Sequence, residues 1–159
     1  MNDFDHRYVR GMTAAFLATV VLSILMLLKA AMGILPDLNL IHMLAQMSGT
    51  GSPGVGWIIH FAIGTLLWGL AFGWLVPKLS GPLAWRGVVF SLGPWLLMMV
   101  LLMPLAGAGF FGLKLGIGAP LMTLMLHVIY GAVLGWSFGL IRLTARVPAN
   151  PVLDPTLHP

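Results

Sequence analysis

The chain has 159 residues, of which 59% are hydrophobic and 8% charged, against the roughly 25% charged fraction of an ordinary soluble domain. A soluble fold could not cover that much apolar surface. The formal net charge of +4 is scattered among the ends of apolar runs, which excludes a nucleic-acid partner, and the absence of cysteine excludes disulfides and thiolate metal sites.

Four apolar runs, about 12–35, 57–76, 87–106 and 119–141, approach or exceed the ~20 residues that cross a bilayer as helix. They are continuously apolar and lack the alternation of a membrane barrel, so the expected fold is an all-α membrane protein with four transmembrane helices. The first run follows Arg7 and Arg10 like a signal peptide. It is longer than the ~7–15 residues of a signal h-region and has no small-x-small cleavage site at its end, so it is expected to stay as a helix. Near its far end Lys29 is placed to snorkel to the surface and pair with Asp37.

Residues 38–47 form the next element, a short helix expected to lie in the outer membrane interface. Asp37 is its expected N-cap, and Leu38, Ile41, Leu44 and Ala45 lie on one side. A glycine- and serine-rich turn over 48–54 leads into the second run. The connection over 77–86 is short, which favours adjacent antiparallel helices on either side of it. The loop over 107–118, with Phe110 and Phe111, is read as interfacial. After the fourth run, residues 143–159 carry Pro148, Pro151, Pro155 and Pro159 with little apolar material and read as a disordered tail, leaving 1–142 as one domain.

Arg7, Arg10, Lys78, Arg86, Arg142 and Arg146 fall on one side of this arrangement, so both termini are expected in the cytoplasm of a bacterial inner-membrane protein. Trp57 near one boundary, and Trp74, Trp85 and Trp136 near the other, match interfacial belts.

Two stretches share a pattern. Arg10-Gly11 precedes His60-Phe-Ala-Ile-Gly64, and Arg86-Gly87 precedes His127-Val-Ile-Tyr-Gly131. This reads as a duplicated helical hairpin, about 10–76 and 86–141, with the copies parallel, related by an axis along the membrane normal, and with their histidines at similar depth. Gly64, Gly69 and Gly73, and Gly131, Gly135 and Gly139, let another helix backbone approach closely, within the chain or in a dimer. Gly69 stands one position further from its histidine than Gly135 does, which rotates the two glycine faces relative to each other.

Intramembrane histidines are costly and usually face a bundle interior or a cavity. The plain reading of His60 and His127 is hydrogen bonding across helix contacts, to Ser23 or Ser91 for example. The sharper reading takes them as ligands for haem or copper, with His42, Met103 and Met125 as further metal ligands. It rests on the company they keep in the outer half: Met32, Met43, Met47, Met98, Met99 and Met122 as well. Methionine is also a filler of irregular cores. The chain has no glutamate, and Asp3, Asp5, Asp37 and Asp154 all lie outside the spans, so no carboxylate relay or aspartate pair is available. Ser23, Ser91 and Ser137 sit in no recognisable nucleophile turn.

Over Leu28-Lys29-Ala30, Leu35-Pro36-Asp37-Leu38, Met103-Pro-Leu-Ala-Gly-Ala-Gly-Phe110 and His127-Val-Ile-Tyr-Gly-Ala-Val-Leu-Gly-Trp136, the chain resembles a family of small four-helix bacterial inner-membrane proteins of unknown function. The similarity runs over about 10–142 and implies a four-helix inner-membrane protein, with no catalytic or ligand residue to carry over. The expected role is a non-enzymatic structural or accessory subunit without a cofactor, partnered by the lipid bilayer and by copies of itself or a larger membrane complex. The alternatives are a haem or copper protein built on His60 and His127, and a small-solute channel or carrier suggested by the glycine-rich outer loops.

Overall fold

The computed structural model describes residues 3–144. The tail expected to be disordered lies outside the described residues, apart from 143 and 144, which continue the last helix. Among the described residues the regular structure is helical throughout: α1 (Asp3–Ala31), α2 (Leu40–Met47), α3 (Pro53–Lys78), α4 (Leu83–Leu105) and α5 (Gly118–Thr144). All but α2 are long and apolar enough to cross a membrane, as expected. Large side chains such as Leu27, Ile58, Leu121 and Trp136 are exposed on the outward faces, as suits a bundle with lipid around it.

Helix boundaries follow local chemistry. The apolar run goes on past Ala31, but the helix stops there because Gly33 and Leu35 adopt positive φ (66° and 48°) and Pro36 follows. Pro53 opens α3 at its first position, where a missing N–H costs nothing.

α1 and α5 lie side by side at the centre, with α3 packed on α1 and α4 on α5. Glycine makes both outer pairings possible. A side chain at Gly11 would strike the backbone of Gly69, and one at Gly69 would stand 2.6 Å from the Met12 Cα. Gly87 meets Gly131 and Gly135 in the same way, and a Cβ on Gly135 would stand 2.9 Å from the Ala84 Cα. These contacts are within one chain. α1 adds Ala14, Ala15 and Ala18, all fully buried, and Phe72 closes the core with its ring 5.2 Å from Phe90 and 5.4 Å from Phe138.

Three local expectations are corrected. The N-cap of α2 is Asn39, whose side-chain oxygen accepts from the His42 N–H at 3.0 Å; Asp37 lies in the preceding turn, where the Leu38 N–H reaches Leu35 O. Leu38, Ile41, Leu44 and Ala45 are nonetheless all buried. Lys29 does not turn to Asp37 but donates to three carbonyls, Ile34 O (3.1 Å), Leu35 O (2.9 Å) and Leu38 O (2.7 Å). The α1–α2 loop turns these carbonyls toward the end of α1, Leu35 O already accepting from the Leu38 N–H, and an ammonium with three donors reaches all of them together. Finally, α3 and α4 are not neighbours along their length despite the short connection between them. They touch through Phe72, Trp68 and Phe90 and then diverge.

Candidate ligand cleft

Divergence of α3 and α4 opens a lateral cleft of about 310 Å³. Its walls are Ile63, Leu67 and Trp68 from α3 and Leu97, Met98 and Leu101 from α4. Thr19 and Leu22 of α1 and His127 and Tyr130 of α5 form the floor, and Leu40, Leu44 and Met47 of α2 form the roof. The lining is overwhelmingly apolar. A cavity of this size with a few fixed polar groups is the usual form of a small-molecule site.

Both wall helices change pitch where they face the cleft. α3 widens to a π-helix over Ile63–Leu67 and α4 does so over Met98–Leu102. Such segments are rare and are frequently found at functional sites. In α3 the Trp68 N–H turns back five residues to Ile63 O, shared with Thr65 O, and the Gly64 carbonyl accepts instead from the Tyr130 hydroxyl at 2.8 Å. In α4 the Met103 N–H likewise reaches back to Met98 O, while Pro94 and Pro104 supply no N–H at all.

The polar groups at the floor form a closed account. The Thr19 hydroxyl donates to Ala15 O (2.8 Å) and the Ser23 hydroxyl to Thr19 O (2.8 Å). His60 is buried, with Nε2 3.3 Å from Ser23 Oγ. Since the one Ser23 proton goes to Thr19 O, the imidazole Nε2–H is the donor of that pair. His127 Nδ1 lies 2.8 Å from Thr123 O and donates to it, because a carbonyl can only accept.

Of the five residues expected as metal ligands, His60 and His127 come together in the cleft. His42 opens on a separate crevice of about 500 Å³ beside Lys114. Met103 is fully buried, with its sulfur against Gly112, and Met125 is half exposed on an outward face. The thioethers that do reach the cleft are Met47 and Met98. Among the described residues, no three of the side chains His, Cys, Asp and Glu stand close enough to hold a metal ion. Ser23 is the partner of His60 as expected; Ser91 donates to Val88 O within its own helix and does not meet His127.

Of the glycines, Gly64 abuts Thr19 Oγ1, Gly73 abuts Tyr8, and Gly139 stands against Leu83. Sequence reasoning missed Tyr130, although it lies inside the second His-x-x-x-Gly motif, where the first copy has Ile63. That one polar difference between the copies was the available signal.

Fold and site together define a four-helix bundle of membrane-crossing length with a lateral apolar cleft. The chain belongs to a family of unknown function, DUF6789, whose model matches residues 6–148. No curated protein and no solved structure matches it.

Proposed function

We propose that this is a non-enzymatic accessory protein of the bacterial inner membrane, both termini cytoplasmic, which holds a small apolar molecule drawn sideways from the bilayer into the α3–α4 cleft. The observation that carries the reading is the cleft: an apolar chamber walled by two π segments, with its few polar groups fixed at the floor. The orientation is supported by Arg10, Lys78 and Arg86, which gather at the end of the bundle where the Phe138 carbonyl and the α3–α4 connection lie. Duplication of the hairpin is supported by Gly11 against Gly69 and Gly87 against Gly131 and Gly135. An accessory role fits a chain whose titratable groups in the cleft are, among the described residues, two histidines and a tyrosine with no carboxylate beside them.

Native mass spectrometry of the protein extracted from membranes in mild detergent tests this. Retention of an apolar molecule is expected, and Leu101→Trp, which adds bulk to the half-exposed cleft wall, should expel it while leaving the bundle folded. Ligand-free protein, or retention unchanged by the substitution, would sink the proposal.

A second reading has one observation of its own: His60, His127, Met47 and Met98 line the same chamber, a donor set suited to Cu(I). Metal analysis with oxidised and reduced absorption spectra on the same sample separates the two. Stoichiometric copper, or a Soret band, that disappears on substituting both histidines would favour the metal or haem reading.

A further inference from the structure

The hydrogen bonds at the floor of the cleft have a consequence for what can bind there. At the floor every hydroxyl and imidazole donor is taken up inside the protein; the indole N–H of Trp68, in the wall, makes no such bond among the described residues. The Thr19 and Ser23 hydroxyls point to carbonyls of their own helix, and Tyr130 donates to the Gly64 carbonyl. His60 uses Nε2–H on Ser23, and His127 uses Nδ1–H on Thr123 O. A neutral imidazole has one N–H, so the second ring nitrogen of each histidine is a bare acceptor. Neither has a partner among the described residues: Nδ1 of His60 and Nε2 of His127 take part in no hydrogen bond there. Among the described residues no carboxylate lines the cleft to pair with an imidazolium, so the neutral rings are the relevant form.

Resting on the ligand-cleft reading above, we infer that the cleft selects apolar molecules carrying an O–H group, which donates to His60 Nδ1 or His127 Nε2 while the apolar body lies between α3 and α4. A ligand offering only acceptors, such as an ether, ester or quinone, would leave both nitrogens unpaired in an apolar chamber. An unpaired buried acceptor is the costly outcome in such a site. The same O–H chemistry is available from a long-chain alcohol, with one proton to give, and from a prenylated hydroquinol, with two.

The test uses the full chain in lipid nanodiscs, stripped of metal with a chelator, and two matched probe pairs: hexadecan-1-ol with its methyl ether, and decylhydroquinol with its dimethyl ether. Binding is measured by competition, and histidine ring nitrogens are followed by 15N NMR, assigned with His60→Leu and His127→Leu. The free protein should show His60 protonated at Nε2 and His127 at Nδ1. At least one hydroxyl probe should bind on the order of tenfold or more tighter than its ether and move the bare-nitrogen resonance of at least one histidine.

Preference within the alcohol pair alone would point to a monohydric lipid, and preference within the hydroquinol pair to a two-donor ligand. In the His60→Leu/His127→Leu variant the preference should vanish while apolar binding persists. Equal binding of alcohol and ether to the native chain would overturn this inference and leave the cleft reading standing. No binding of any probe, or of hexadecane, would remove the cleft reading as well. The opposite tautomers in the free protein, or copper held by both nitrogens before chelation, would overturn the donor rule directly.

Discussion

The two ends of the bundle are built differently. At the arginine end the long helices pack closely: glycine sits against backbone, Phe72 packs between Phe90 and Phe138, and Arg10 lies over the Phe138 ring at 4.3 Å while donating to the Phe138 carbonyl. At the α2 end the same helices part around cavities of about 310, 350 and 500 Å³. The first two share Leu22, Leu40, Met98 and His127 as a common wall. The pitch changes, with Pro94 and Pro104, fall in the hollow half, and the backbone contacts of Gly11 with Gly69 and of Gly87 with Gly131 and Gly135 fall in the solid half, while Gly56 abuts the Ile41 carbonyl of α2 at the other end. A membrane bundle gains little from hydrophobic burial and is held by close packing, so the solid end carries the fold and leaves the other free to hold a guest.

The largest effect that would break this contrast is expected at Gly135. Its Cβ in Gly135→Ala would meet the Leu83 carbonyl and stand 2.9 Å from the Ala84 Cα, and neither is a flexible side-chain end. Forced overpacking of this kind costs about 3 kcal/mol. Thermal unfolding in detergent should show a large drop in Tm; an unchanged Tm would mean that the α4–α5 contact is not what closes the bundle.

At the hollow end the strongest single support is Lys29. Lys29→Met removes three charge-assisted hydrogen bonds to the α1–α2 loop, worth about 2 kcal/mol in a locally opened segment. Amide exchange at Ile34 and Leu38, whose N–H groups bond to Lys29 O and Leu35 O, should accelerate more than tenfold while the glycine-packed helices keep their protection. Acceleration throughout the chain would show that the two ends are not energetically separate.

A smaller effect tests the cleft itself. Tyr130→Phe deletes the donor to the Gly64 carbonyl, for about 1 kcal/mol. If that bond favours the π segment, the Trp68 amide, now on Ile63 O and Thr65 O, should exchange faster in the variant, because it can alternate between Ile63 O and Gly64 O. No change at Trp68 would mean that the pitch of α3 is set by its contact with α1 through Gly64 and Thr19 instead.

Much of the solid end was legible in the sequence, because continuous apolar runs and spaced glycines act through nearest neighbours on a helix. The hollow end was less so. His60 and His127 stood out as polar residues in apolar runs, and the structure puts both in one cleft. The divergence of α3 and α4 depends on how each packs against a third helix, and a short connection carries no record of that. Pitch changes over Ile63–Leu67 and Met98–Leu102 have no compositional mark either. Asn39 displaced Asp37 as the α2 cap because the positive-φ turn at Leu35 shifts where the helix can begin, a geometry that residue types alone do not fix.

The smallest expected effect is the sharpest probe of what surrounds the hollow end. Gly93 lies in the same helix as Gly87, yet a Cβ there meets nothing within 4 Å. Gly93→Ala gains helix propensity of up to about 1 kcal/mol, offset in part because a residue before Pro94 is crowded in helical conformation by the proline ring. The two terms nearly cancel, so an isolated chain should change by less than about 0.5 kcal/mol in a detergent unfolding titration. The same substitution in native membranes examines the accessory role. If Gly93 faces lipid, the protein should remain as abundant and as protease-resistant as the wild type. A loss of either in membranes, with stability in detergent unchanged, would locate a partner helix on this open face of α4 and give the hollow end a neighbour.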